Sequence, residues 1–170
     1  MIRLKHTLII LIVIAIATSC RINYSFRTAS INYDLTKSLS IDHFINQAPL
    51  VYPPVEQRFN EEMADMFTRN TRLQLVDQNG DMEIEGEIVG YQLTPLAVQE
   101  DAFASETRLT MSVRFRFRNN KTNDPDIEET ISANRTFSSD QVFDTVQDEL
   151  VRQLIEEIVD QIFNATMSNW

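Results

Sequence analysis

RLTMSVRFRFRNN, residues 108–120, alternates without a break. Leu109, Met111, Val113, Phe115 and Phe117 fall on one parity, and Arg108, Thr110, Ser112, Arg114, Arg116 and Arg118 on the other. Successive side chains of a strand point to opposite faces, so this stretch is a strand with one apolar and one basic face. A strand this strictly two-faced needs a layer over its apolar side and leaves the other side to polar surroundings.

The neighbours on either side extend the sheet. Upstream, Met82, Ile84 and Ile88 alternate with Glu83, Glu85 and Glu87; from Val89 the apolar set moves to the other parity at Val89, Tyr91 and Leu93. Gly86 and Gly90 flank that switch. A β-bulge would return the apolar set to the core face. Alternatively the far face becomes apolar there, and Val89, Tyr91 and Leu93 form a surface that a partner covers. Residues 97–105 read as a polar connection between this strand and residues 108–120. Downstream, NNKTNDPD (119–126) is a turn region, and Ile131, Ala133 and Phe137 mark one more strand.

The layer over the apolar side comes from two helical patterns. Val55, Phe59, Met63, Met66 and Phe67 recur at helical spacing behind Pro53 and Pro54, which suit a helix start because a missing N–H costs nothing there. Val146, Leu150, Val151, Leu154, Ile155, Ile158, Ile162 and Phe163 form a longer stripe, with Ser139 or Asp144 as candidate caps. Leu39, Ile41 and Ile45 read as a short strand, and Leu73, Leu75 and Val76 as another. Asn79–Gly80 then predicts a tight hairpin into the Met82 strand. The order is strand, helix, short strand, a three-strand meander, helix. This is an α+β fold: a mixed or antiparallel sheet of about four main strands, with two amphipathic helices packed on one face.

The N-terminal segment, MIRLKHTLIILIVIAIATSC, has another purpose. Arg3 and Lys5 precede an unbroken apolar run of ten residues, Leu8 to Ala17. A bilayer-crossing helix needs about 20 residues. A short run of this kind, followed by small residues, is the core of a secretory signal peptide. Cys20 is the only cysteine in the chain and stands at the expected cut. The pattern resembles a bacterial lipobox, although Ala17 stands where leucine is usual. Lipidation at Cys20 is therefore expected, with residues 1–19 as signal peptide, 20–37 as lipidated N-terminus and tether, and 38–170 as a single α+β domain. One acyl chain holds a protein at a membrane only marginally, whereas two or three hold it firmly.

Removing residues 1–19 from 170 leaves 151 residues, enough for one domain with a real core. Loss of Arg3 and Lys5 takes the formal charge from −10 to −12. So acidic a chain is poorly suited to nucleic acid. No second cysteine exists to form an internal disulfide.

Enzymatic signals are missing. The mature chain has one histidine, His43, which is read as structural. No metal-ligand spacing occurs, and Gly80, Gly86 and Gly90 are too scattered to cradle a phosphate. The expectation is no enzyme and no cofactor beyond the covalent lipid on Cys20. The sharpest feature is the stripe Arg114, Arg116 and Arg118. Guanidinium groups pair with phosphate or carboxylate, so the stripe is a candidate contact for an anionic lipid or partner. The reading we favour is cross-strand pairing with Glu85 and Glu87.

Longer phrases carry a resemblance. NYSF (23–26), APLVYP (48–53), LQLVDQNGD (73–81), GEIVGYQLTPLAVQ (86–99) and DELVRQLIEEIVDQIFNATMSNW (148–170) together resemble a divergent branch of the LptE lipopolysaccharide-assembly lipoproteins. The resemblance implies a lipoprotein of the outer membrane, lipid-anchored on the periplasmic side. It also implies an LptD-like β-barrel partner whose lumen the protein plugs, helping to place lipopolysaccharide in the outer leaflet. The family fold, a sheet with two helices on one side, agrees with the order read above. A barrel wall would be one cover for an apolar surface at Val89, Tyr91 and Leu93. No family motif surrounds Arg114 to Arg118, so no lipid-binding role transfers to them residue by residue. The alternative is a periplasm-facing interaction module regulating another envelope complex. The strand–helix–strand run from SLSIDHF (38–44) to LQLVD (73–77) resembles the small TolB N-terminal domain.

Overall fold

The computed structural model describes residues 31–50, 52–96 and 106–167. The signal segment, Cys20 and the 97–105 connection lie outside the described residues. Within them are β1 (Ser38–Ile41), β2 (Ile45–Asn46), α1 (Pro54–Asn70), β3 (Gln74–Val76), β4 (Met82–Pro95), β5 (Glu106–Asn119), β6 (Ile127–Ser138) and α2 (Phe143–Met167). The strands form one sheet in the order β3-β1-β4-β5-β6, with β2 also on β4. Both helices lie on its apolar face, α2 against β5 and β6, and α1 against β2 and β3.

The β5 alternation holds along its length: Leu109, Met111, Val113, Phe115 and Phe117 are all buried. In α1, Val55, Phe59, Met63 and Phe67 are buried at four-residue spacing, with Pro54 in the first turn. Glu56 in that turn and Arg69 in the last complement the helix dipole. In α2 the buried row is Leu150, Val151, Leu154, Ile155, Ile158, Val159 and Ile162. The helices run side by side in the same direction. Arg58 pairs with Asp148 near their starts, and the rings of Phe67 and Phe163 meet at 5.2 Å near their ends. Asp144 sits inside the first turn of α2, while the Ser139 hydroxyl instead lies 3.0 Å from that of Thr107.

Two expectations are revised. The 39–45 run is two strands, not one. Between them the chain steps out so that the Phe44 ring enters the core against Phe59, centroids 5.1 Å apart. Gly86 makes room for it: a β-carbon there would lie 2.3 Å from Phe44 Cε1.

Second, Asn79–Gly80 does not close a hairpin. β3 and β4 both pair with β1, in parallel, with β1 between them. Residues 77–81 therefore cross over β1. Asn79 takes a positive φ of 54°, and Gly80 passes so close that a β-carbon would lie 2.5 Å from Ser40 N. The small side chains of β1 receive the crossing: Gly80 N–H donates to Ser40 Oγ and Asp81 N–H to Ser38 Oγ. Asp81 in turn accepts the backbone N–H groups of Lys37 and Ser38.

Of the two readings of the β4 phase change, the structure bears out the bulge. Ile88 pairs with Val113 but Gly90 with Ser112, leaving Val89 as the extra residue. Tyr91 and Leu93 thereby return to the helix-covered face, opposite Met111 and Leu109. In the segment leading into β1, Ile31 and Thr36 are already buried.

Candidate functional site

Among the described residues, only 77–81 lie over the sheet face away from the helices, and the chemistry of that open face divides along its length. Near the β4 start, Glu83, Glu85 and Glu87 stand opposite Arg118, Arg116 and Arg114 in the antiparallel register. That register makes three cross-strand ion pairs. Arg116 Nη2 is 2.6 Å from Glu85 Oε1, Arg118 Nη1 is 3.6 Å from Glu83 Oε2, and Arg114 pairs with Glu87. Asp126, in the turn before β6, reaches both Arg118 Nε at 3.3 Å and Arg116 Nε at 3.8 Å. Glu128 stands opposite Arg116 on the other side. Three guanidinium groups thus face five carboxylates, which leaves this half of the face acidic. The sequence reading had Glu85 and Glu87 in the ladder. It missed Asp126, because a turn residue has no register until the turn is built.

Beyond the bulge the ion-pair ladder ends and hydroxyl side chains dominate. Ser112 Oγ and Ser132 Oγ meet at 2.7 Å across β5 and β6, and Thr94 stands opposite Arg108. A shallow depression on the acidic half is lined by His43, Ile45, Glu85, Glu87, Arg114 and Arg116. His43 at its rim serves the fold. Its Nε2 lies 2.8 Å from Glu56 Oε1, while Glu56 Oε2 accepts the Asn46 N–H. The His43 contact first, then that N–H, hold the Glu56 carboxyl below its ordinary range. Asn60 completes the fastening, accepting from Phe44 N and donating to Phe44 O.

The apolar surface expected at Val89, Tyr91 and Leu93 is not assembled. Tyr91 is 1% exposed. It stacks on Tyr52 at 6.4 Å and accepts a hydrogen bond from Gln147 Nε2; burial raises its pKa. Leu93, at 37% exposure, stays open on the helix side of the sheet, and Val89 is half-buried at the bulge. The bulge is the physical reason. Cys20 lies outside the described residues. Among those residues, no group of three metal-ligating side chains occurs and no helix is long and apolar enough to cross a membrane.

Comparison with known proteins gives a consistent picture. The family model LptE, described as lipopolysaccharide-assembly, matches residues 36–166. Among solved structures, a rare lipoprotein B from Shewanella oneidensis superposes with a TM-score of 0.53 at 14% identity, covering 76% of this chain and 92% of that one. A minor lipoprotein from Acinetobacter baumannii gives a TM-score of 0.50 at 18% identity, covering 75% of this chain and 89% of that one. A hypothetical protein from Chlamydia trachomatis gives 0.51 at 12% identity, over 76% and 96%. At these identities the structural likeness speaks for the fold alone. No curated protein matches the chain.

Proposed function

The chain belongs to the LptE lipopolysaccharide-assembly family, and on that premise we propose that it is an outer-membrane lipoprotein that partners and plugs a large LptD-like β-barrel. It is held by acyl chains on Cys20 on the periplasmic side, and the pair delivers lipopolysaccharide to the outer leaflet. The observation that carries this reading is the family match over residues 36–166. The character of the uncovered sheet face supports it. Water-filled barrels are polar inside, and a sheet face of ion pairs, serines and threonines suits such a wall. The protein acts by shape and polar contact in this reading. Arg114, Arg116 and Arg118 are already neutralised by carboxylates, so the role does not rest on them as a phosphate clamp.

The test is extraction of the tagged, acylated chain in mild detergent. A barrel of many strands should co-purify, and lipopolysaccharide export should fail on depletion. Recovery of the lipidated protein alone would remove the plug from the reading. The anchor has its own test: Cys20→Ala should stay unprocessed or leave the membrane fraction. If the variant fractionates with membranes as before, residue 20 carries no lipid anchor.

A further inference from the structure

β6 closes one end of the sheet, and among the described residues no strand pairs with its outer side. It is 12 residues long, whereas β3 at the opposite end has three. An outer strand presents unpaired N–H and C=O groups to any strand that can lie beside it. Proteins usually blunt such edges with proline, lysine, inward-pointing charges or a bulge, and of these β6 carries only charges, Glu129 and Arg135 on the helix side. IEETISANRTFS has neither proline nor lysine, and its ladder with β5 runs from Ile127 to Ser138 without a register shift.

The residues along this edge are self-complementary in one antiparallel register. With a two-fold axis at Ser132, Glu129 of one copy faces Arg135 of the other, Ile127 faces Phe137, and Ile131 faces Ala133. Thr130 faces Asn134 and Glu128 faces Thr136 on the uncovered side. Symmetry makes each pair twice. Moving the axis to Ala133 sets Glu129 against Phe137 and Ile131 against Arg135. Moving it to Ile131 sets Arg135 against Ile127. A slip of half that size opposes helix-side residues to residues of the other face. The side chains are prepared for the Ser132 register. Arg135 is held by Glu157 Oε2 at 2.6 Å and Gln153 Oε1 at 3.1 Å, and it remains about one-third exposed. Glu129 is exposed. Ile127 and Phe137 are only partly buried and would lose more surface to water.

We propose that β6 is a self-association edge: two copies of this chain pair β6 to β6, antiparallel about Ser132, and join their sheets into one. This goes beyond the barrel reading and stands apart from it, since it concerns copies free of any barrel.

Disulfide trapping of the acylated full chain in detergent tests it. Ser132→Cys places the new thiol beside its own symmetry mate and should give a covalent dimer under mild oxidation. Glu128→Cys should not, because eight residues of strand separate it from its mate by about 27 Å. The parent chain reports any crosslink through Cys20. Glu129→Lys, added to Ser132→Cys, should lower the trapped fraction and weaken the dimer about tenfold in sedimentation. The unsubstituted chain should sediment as a dimer in the same detergent, which keeps the test independent of any folding defect in the variants. A monomeric parent chain, or equal trapping at positions 128 and 132, would overturn the proposal.

Discussion

The two faces of β5 are built from adjacent residues and held by different physics. On the helix side, Phe115 and Phe117 are almost fully buried. On the open side, Arg116 between them keeps 39% of its side chain exposed and bonds to a neighbouring strand. Burial of a large apolar side chain stabilises by about 1.5–3 kcal/mol. An exposed ion pair contributes about 0.2–1 kcal/mol because water and salt screen it. The helix-covered face therefore supplies the stability. The open face can vary its charges to suit a partner at little cost to the fold.

The largest expected effect tests that ranking. Phe117→Ala should destabilise by about 3–5 kcal/mol, through lost burial and a cavity beneath the helices. Thermal or urea unfolding reads it directly. A loss comparable to that of Arg116→Ala would mean that the covered face is not the source of stability.

The second prediction concerns the place where, among the described residues, the open face is itself covered. Residues 77–81 lie across β1 there, and Gly80 is buried. Its absent β-carbon would meet Met82 O and Ser40 N at 2.5 Å. Backbone cannot move aside as a side-chain tip can, so Gly80→Ala should cost about 1–3 kcal/mol or more. Gly90→Ala gives a milder comparison, since its nearest neighbour is the Ser112 β-carbon at 3.0 Å.

This crossing also marks where the sequence stops being legible. The meander β4–β5–β6 could be read because antiparallel neighbours consecutive in the chain leave a local trace: alternation in each strand and polar residues between them. The glutamate–arginine ladder followed from the same counting, and the bulge showed as a change of parity at Val89. Parallel insertion of β1 between β3 and β4 leaves no such trace. Its strands are four and three residues long, and its partners are set by contacts far apart in the chain. Asn79–Gly80 looked like a hairpin because Asn at positive φ followed by Gly suits both a hairpin and a tight crossing. Tyr91 was placed on a possible outer surface because parity alone cannot say which explanation of a phase change holds.

The third prediction is a pH dependence at the same crossing. Two backbone N–H groups and Lys121 bring the Asp81 carboxyl down from 3.8 to about 2, the Lys37 N–H foremost. A carboxyl whose folded pKa lies below its unfolded value stabilises the fold above the unfolded value. That stability should be complete above pH 3.8 and disappear as pH falls toward 2. Acid unfolding should therefore steepen in this window, and Asp81→Asn should flatten it while lowering stability at neutral pH. An unchanged acid profile in the variant would mean that the crossing is held by packing alone.

The smallest effect is the most informative about function. Arg116→Ala should change stability by no more than about 1 kcal/mol, and 1 M salt should erase most of the difference, since screening then acts within about 3 Å. Reversal to Arg116→Glu sets like charges opposite Glu85, which is destabilising for a directly facing pair. The swap Glu85→Arg with Arg116→Glu restores the cross-strand pair but moves each charge to the other strand, and Asp126 then faces a carboxylate. If the ladder serves only the sheet, the swap should recover most of the stability and keep barrel co-purification intact. Recovered stability with lost co-purification would show that a partner reads the guanidinium at position 116 itself. The open face would then be a recognition surface whose pairing energy is incidental.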